Sequence, residues 1–333
     1  MRLLIYYETT NLPWGGVNSF IRSFKEYIQK NRKDIVVVNS LGDNPDVVLL
    51  SAAQAGPGKE VNIREIRRIL RKGDSFFQRI FGNTKRKIAL VHRLDGLRAV
   101  YSDKMIPNDR RQIELSRMAD FIIFQSEFSL QNFQQFGYIK DNYKIINNGV
   151  NQDIFNYKKK VFRDIKKVND IRILSASWSE NLNKGFETIA KFSEVEGVRV
   201  LFVGRWNKDV DRKNVEITAP LDREMMAEMY RDCDVFLHAA KNDPCPNVIF
   251  EAVSCGLPVI YHNSGGTKEI AASYGVPLPL HIDVNTATAT VSRMKDDYET
   301  LRNRIIQDWK TFSIEHVVEK YIDAIESVLE KMN

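Results

Sequence analysis

Two carboxylates, Asp243 and Glu251, bracket the stretch Asp243-Pro244-Cys245-Pro246-Asn247-Val248-Ile249-Phe250-Glu251. Polar Lys241-Asn242-Asp243 closes a loop after an apolar, strand-like run. Pro246 and Asn247 then suit a helix start, because proline's fixed φ and missing N–H cost nothing in a first turn. Gly256 and Pro258 end that helix. One acid therefore lies in the loop entering the helix and the other near its middle. The free N–H groups of the helix start, around Asn247 and Val248, can receive phosphate or hydroxyl oxygens. Two acids at one spacing also arise on an ordinary amphipathic helix with Glu251 solvated. The spacing gains force from the residues beyond the helix: Cys255-Gly256-Leu257-Pro258-Val259-Ile260, then Gly265-Gly266-Thr267-Lys268-Glu269.

Other residues could act with this pair. Lys184-Gly185 follows a strand-like run and precedes a helix, where an ammonium can neutralise a diphosphate. Gly15-Gly16 precedes the first helix, and glycines there let backbone N–H groups approach an anion closely, although an ordinary turn has the same look. His92, in His92-Arg93-Leu94-Asp95-Gly96, is expected at the carboxyl end of a strand over 88–91. There it could hydrogen-bond a hydroxyl or stabilise developing charge; a buried structural histidine is the competing reading. Arg93 and Asp95 could pair to hold their loop or could read an acceptor. Arg205 is either a phosphate partner or a plain surface cation. Glu269 either touches a ligand or caps its own helix.

The long string resembles the acidic-x7-acidic signature of retaining GT-B fold glycosyltransferases, the family 4 group also called glycosyl transferases group 1. The resemblance implies that Glu251 hydrogen-bonds the ribose of a nucleotide sugar and that Asp243 meets hydroxyls of the transferred sugar. Glutamate is commoner at the first position, so Asp243 reaches one methylene less. Lys184 matches the family's phosphate-binding lysine, and His92 a histidine that contacts the donor sugar. Gly15 and Gly16 match a loop facing the diphosphate and the acceptor, and Glu269 a recurrent position. Many relatives carry an arginine six residues before the lysine; here Trp178 stands there, which makes Arg205 the candidate second cation for the diphosphate.

The implied reaction is transfer of a sugar, with retention, from a UDP- or GDP-type nucleotide diphosphate donor to a hydroxyl of a glycan or lipid-linked acceptor, as in polysaccharide biosynthesis. The resemblance implies no cofactor, no metal and no side-chain nucleophile, the leaving phosphate taking the acceptor proton. The strings Asp209-Val210-Asp211 and Asp232-Cys233-Asp234 are accordingly not read as metal sites. The alternatives are a GT-B sugar-nucleotide epimerase, an inverting transferase, or a non-catalytic nucleotide-sugar-binding adaptor.

These side chains need a scaffold. The 333 residues suffice for two domains of roughly 150 residues. Apolar strand-like runs at 3–7, 35–38, 47–50, 88–91, 121–124 and 144–146 alternate with helical patterns at 19–29, 63–70, 109–118 and 129–136. After Asn147-Asn148-Gly149-Val150-Asn151 and a lysine-rich connector the scheme recurs. Its strands are expected at 171–176, 198–203, 215–218, 235–238 and 259–261, and its helices at 186–192, 222–230, 247–254 and 314–331. The pattern predicts an α/β protein of two doubly wound (Rossmann-like) domains facing across a cleft, the GT-B architecture that the resemblance implies. The resemblance makes residues 1–150 the acceptor-side domain and 151–310 the nucleotide-sugar domain. By the same resemblance the helix in 311–333 packs back on the N-terminal domain, while its amphipathic pattern alone would equally suit a partner contact.

No apolar run approaches the ~20 residues of a membrane span, so the chain reads as cytoplasmic. Cys233, Cys245 and Cys255 have neither disulfide nor zinc spacing. The net charge is +6, and it is concentrated. Segment 64–87 holds nine bases (Arg64, Arg67, Arg68, Arg71, Lys72, Arg79, Lys85, Arg86 and Lys87) against Glu65 and Asp74, a charge of +7 that leaves the rest near neutral. So local a feature argues against nucleic-acid binding. With Phe76, Phe77, Ile80 and Phe81 between its clusters, it suits either peripheral contact with an anionic membrane, at the inner face, or a solvated helix and loop.

Overall fold

The computed structural model describes residues 1–11, 15–71, 88–102, 105–138 and 141–332. The chain forms two compact units. Met1–Thr10, Val17–Asn147 and Val317–Asn333 make the first; Asn11–Gly16 and Asn148–His316 make the second.

In the first unit β1 (Arg2–Ile5), β2 (Val36–Val38) and β3 (Val47–Ser51) precede a short antiparallel extension, β4 (Gln54–Gly56) and β5 (Lys59–Glu60). β6 (Ala89–Leu94), β7 (Phe121–Phe124) and β8 (Tyr143–Ile145) complete a parallel sheet of order β2-β1-β3-β6-β7-β8. Every residue of β3 and β6 is buried, as expected for central parallel strands covered on both faces. The covering helices are α1 (Gly16–Asn31), α2 (Ile63–Arg71), α3 (Pro107–Met118) and α4 (Glu127–Gln135). Ser126 caps α4 by accepting from the Ser129 N–H at 3.0 Å.

The second unit is built on β9 (Ile171–Ser177), β10 (Val198–Gly204), β11 (Glu216–Thr218), β12 (Val235–His238), β13 (Val259–Tyr261) and β14 (Gly275–Pro277). All are parallel, in the order β11-β10-β9-β12-β13-β14. The strand order reverses between β9 and β12, and such a sheet opens a crevice beyond the carboxyl ends of those two strands. Helices α5 (Phe186–Phe192), α6 (Arg223–Asp232), α7 (Asn247–Ser254), α8 (Thr267–Ala271) and α9 (Val284–Asp308) cover it. Asp222 starts α6 and Asp283 starts α9, each carboxylate accepting an N–H three residues on at 2.8 Å.

The last helix, α10 (Ile314–Met332), carries its buried residues Val317, Val318, Tyr321, Ile322, Ile325 and Val328 on one stripe. Within the first unit Tyr321 packs edgewise on Phe24 and tilted on Phe20, at 5.4 and 5.8 Å between ring centres. Glu319 accepts from Tyr27 Oη at 2.9 Å and from Arg32 Nη1 at 2.6 Å.

The sequence reading misses β14, the β4–β5 pair and all of α9. Asn285-Thr286-Ala287-Thr288-Ala289-Thr290 opens α9 with β-branched residues of low helix propensity, and the Asp283 cap overrides them. Among the described residues no helix is long and apolar enough to cross a membrane.

Candidate active site

Gly185 brings the two crevice loops together. It closes the turn after β9 with φ of 77°, a left-handed conformation, and a Cβ there would run into Ala239 O and Cβ of the loop after β12. The Lys241 N–H donates to Asn183 O at 2.8 Å across the same junction. Lys184 is thereby carried to Asp243, and its Nζ lies 2.9 Å from Asp243 Oδ2. The loop holding Asp243 is pinned from the other side. Gly265, at φ of 65°, leaves room for the Asp243 backbone, and the Gly266 N–H donates to Asp243 O at 3.0 Å. Burial works to raise the Asp243 pKa, but the Lys184 ammonium and its hydrogen bond hold the carboxyl below its ordinary value. Asp243 is therefore ionised at neutral pH.

Three residues after Asp243 comes Pro246, and α7 begins with Asn247 without a side-chain cap. Asn148 Nδ2 donates to Asn247 Oδ1 at 2.7 Å, and Asn247 Nδ2 donates to Gly16 O at 2.7 Å. Gly16 with Gly15 belongs to the second unit; Gly15 has φ of 30°, and among the described residues beyond its chain neighbours no atom lies within 4 Å of a Cβ placed there. Val248 is half-buried one residue into α7.

One helical turn deeper, Glu251 is buried, and its Oε2 accepts from Tyr230 Oη at 3.1 Å. Burial pushes the Glu251 pKa up to about 7, against the opposing pull of the Tyr230 hydrogen bond and of the Arg223 charge. Tyr230, in the last turn of α6, went unassigned at the sequence level. It lies 21 residues from its partner, and only the packing of α6 on α7 joins them.

Arg205 is exposed at the end of β10, its guanidinium carbon 4.7 Å from the centre of the Trp178 ring. Gly204, at φ of 130°, has no room for a Cβ beside Ser177 O, and the Arg205 N–H donates to that oxygen at 2.9 Å. The residue standing at the expected arginine position thus forms the surface on which another arginine stacks. Glu269 is exposed on the one-turn helix α8.

The first unit holds the remaining candidates, and here the sequence reading needs correction. β6 runs on to Leu94, so His92 lies within the sheet, paired with Leu50 and Ile122, rather than at a strand end. It is fully buried. Nε2 lies 2.6 Å from Ala52 O, and Nδ1 has no hydrogen-bond partner among the described residues. Burial lowers its pKa to about 4, so it is neutral and Nε2–H donates to the carbonyl. Arg93 is also buried, donating to Ser51 Oγ at 3.0 Å and lying 4.4 Å over the Phe20 ring. Asp95 Oδ1 accepts from the Gly96 N–H at 2.9 Å, shaping its own turn. In segment 64–87, Arg67 pairs with Glu114 while Arg64 and Arg68 are exposed; residues 72–87 lie outside the described residues.

Neither aspartate string gathers metal ligands. Asp211 pairs with Lys213 at 3.0 Å, and buried Asp234 accepts from the Arg172 N–H at 2.9 Å. Among the described residues no group of three or more potential ligands could hold a metal ion. The three cysteines are buried, and none of them is in a disulfide.

Residues 193–330 match the model of the family described as glycosyl transferases group 1. No curated protein sequence matches the chain. Among solved structures the chain is similar to a sucrose-phosphate synthase from Thermosynechococcus elongatus, at 15% identity over 99% of each chain and a TM-score of 0.69. It is also similar to Anabaena HepE in complex with UDP-glucose, at 16% identity over 98% of this chain and 100% of that one, TM-score 0.68. A third is WaaG, a glycosyltransferase involved in lipopolysaccharide biosynthesis, at 14% identity over 97% of this chain and 99% of that one, TM-score 0.63. At such identities the likeness is one of fold. The chain has the GT-B fold of glycosyltransferases, and over residues 193–330 it matches the glycosyl transferases group 1.

Proposed function

We propose that the protein is a retaining, metal-independent glycosyltransferase that moves a sugar from a UDP- or GDP-type donor to a hydroxyl of a glycan or lipid-linked acceptor. The observation that carries this reading is the convergence, at the crevice of the second unit's sheet, of Lys184, Asp243, the uncapped start of α7 and Glu251. A cation and a helix N-terminus suit a diphosphate, and their fixed charges stabilise it as its bond to the sugar lengthens. Glu251, one turn along α7, accepts the ribose hydroxyls; Asp243, at the mouth of the helix, accepts hydroxyls of the sugar. Arg205 stacked on Trp178 supplies a second cation beside the loop after β9. HepE, similar in fold, was solved with UDP-glucose.

The acceptor side is the first unit, and Arg64 and Arg68 on α2 favour an anionic, membrane-borne acceptor. His92 and Arg93 serve this unit from inside its core. The test is incubation with a panel of UDP- and GDP-sugars, with and without EDTA, following nucleoside diphosphate release and the anomeric configuration of the product. Release that survives EDTA and an α-product from an α-donor are expected. Inverted product, or release that requires a divalent cation, contradicts the corresponding part of the reading. Sedimentation with anionic and neutral vesicles tests the membrane part, which fails if the protein ignores anionic vesicles at low salt.

A further inference from the structure

His238 is the last residue of β12, directly beneath the loop that carries Asp243. Its side chain is 5% exposed, and its ring is stacked at 24° to Phe236, with centroids 6.4 Å apart. Its backbone is fixed as well, since the carbonyl accepts from the His262 N–H at 2.9 Å. Nε2 has no hydrogen-bond partner among the described residues, which is rare for a buried polar atom and marks a group with a use elsewhere. The nearest charged atom recorded for it is Asp243 Oδ2, at 4.0 Å, the same oxygen that Lys184 Nζ holds at 2.9 Å. The carboxylate, which also accepts from the Cys245 N–H, thus has the Lys184 ammonium in contact and the His238 ring nitrogen about an ångström further out.

We propose that His238 is the positioning residue for Asp243, its Nε2–H being the second side-chain donor that, with the Cys245 N–H, holds the carboxylate toward a bound sugar when the donor's diphosphate draws Lys184 away. This rests on the transferase reading of the crevice. Without such a donor, the loss of Lys184 to a phosphate would leave the half-buried Asp243 carboxylate with the Cys245 N–H as its recorded partner, at the moment when its direction decides which hydroxyls it meets. The charged and titratable groups facing His238 are Asp243, Lys184 and His262. Burial drives the imidazole pKa down to about 4, so near neutral pH it acts as a neutral donor and adds no charge that would compete with the phosphates for Lys184.

Two measurements test this. In the protein alone, histidine nitrogen NMR should show His238 as the Nε2–H tautomer, with a resonance that moves in Asp243→Asn. An Nδ1–H tautomer, or indifference to Asp243→Asn, overturns the proposal whether or not any nucleotide sugar binds. In titrations with UDP-glucose and with UDP, His238→Leu should weaken the sugar nucleotide about tenfold, the scale of one hydrogen bond to a charged group, while UDP binds within about twofold of wild type. His238→Gln, which keeps an N–H near the position of Nε2, should recover most of that loss. Equal weakening of both ligands, or no recovery with glutamine, would reduce His238 to a packing residue. A wild-type protein that binds neither ligand while His238 keeps the expected tautomer would count against the transferase reading instead.

Discussion

Lys184 and Asp243 are oppositely charged and in contact, yet they are assigned to different parts of one substrate, and that difference can be measured. Lys184→Ala should weaken free nucleoside diphosphate and nucleotide sugar alike, by about 1.5–3 kcal/mol for a lost charge-assisted hydrogen bond. Asp243→Asn should weaken only the nucleotide sugar; equal losses would remove Asp243 from the sugar. Glu251 makes a pH-dependent prediction. Its carboxyl is raised from an ordinary 4.5 to about 7, so between those values the folded protein holds a proton that the unfolded chain has released. Stability therefore falls as pH rises through this window, and above about 7 the buried charge is destabilising by up to about 3 kcal/mol. Glu251→Gln should accordingly raise the melting temperature at pH 8 and change it little at pH 4.5. Ribose hydroxyls favour the ionised form, so nucleotide binding near pH 6.5 should release protons, visible as a dependence of calorimetric heat on buffer ionisation enthalpy. His92 behaves differently. It lies in the sheet, bonded to Ala52 O, and His92→Ala should lower stability by about 2–4 kcal/mol in thermal or urea melts. A fully stable variant would return His92 to the candidate substrate contacts.

The element that sets the site is the turn Leu182–Lys184 with Gly185 after it, not any catalytic side chain. Gly185→Ala forces a Cβ into Ala239 while the backbone is left-handed, so a loss of at least about 2 kcal/mol and a weakened Lys184–Asp243 contact are expected. Unchanged melting and nucleotide binding would show that the turn relaxes freely. Such a junction is nearly invisible in sequence. Lys184-Gly185 can be read as a cation before a helix, but the meeting of Gly185 with Ala239, 54 residues further along the chain, depends on β9 and β12 being sheet neighbours. α7 was legible end to end because Pro246 and Gly256 punctuate it locally, and residues 186–192 were read correctly for a similar reason. The strand end at His92 was misplaced because Arg93 is charged, and a charged residue reads as a loop. Its guanidinium is instead buried against Phe20 and Ser51, a tertiary contact that no window of β6 announces. Tyr230 escaped for the same reason, its role arising from α6 packing on α7.

At the scale of the whole molecule, the first unit is completed by the chain's last helix. Val317, Val318, Tyr321, Ile322 and Ile325 are buried, and Tyr321 fills the space beside Phe20 and Phe24. Removing the chain from residue 314 onward should leave α1 with an exposed aromatic face, and soluble yield and helical circular dichroism should both fall. A truncated protein with native melting would make α10 an appendage. Against this, Glu319→Ala should cost only about 1 kcal/mol, since its partners Tyr27 and Arg32 are partly solvated. The crevice of the second unit is the proposed seat of a nucleotide diphosphate sugar. Calorimetric titration of UDP- and GDP-sugars into wild-type protein and Glu251→Ala tests it most directly. Saturable binding of at least one donor by the wild type is expected, weakened about tenfold or more by Glu251→Ala, the loss expected for a ribose held by a buried carboxylate. No binding of any donor to the wild type, or equal affinity in the two proteins, would contradict it.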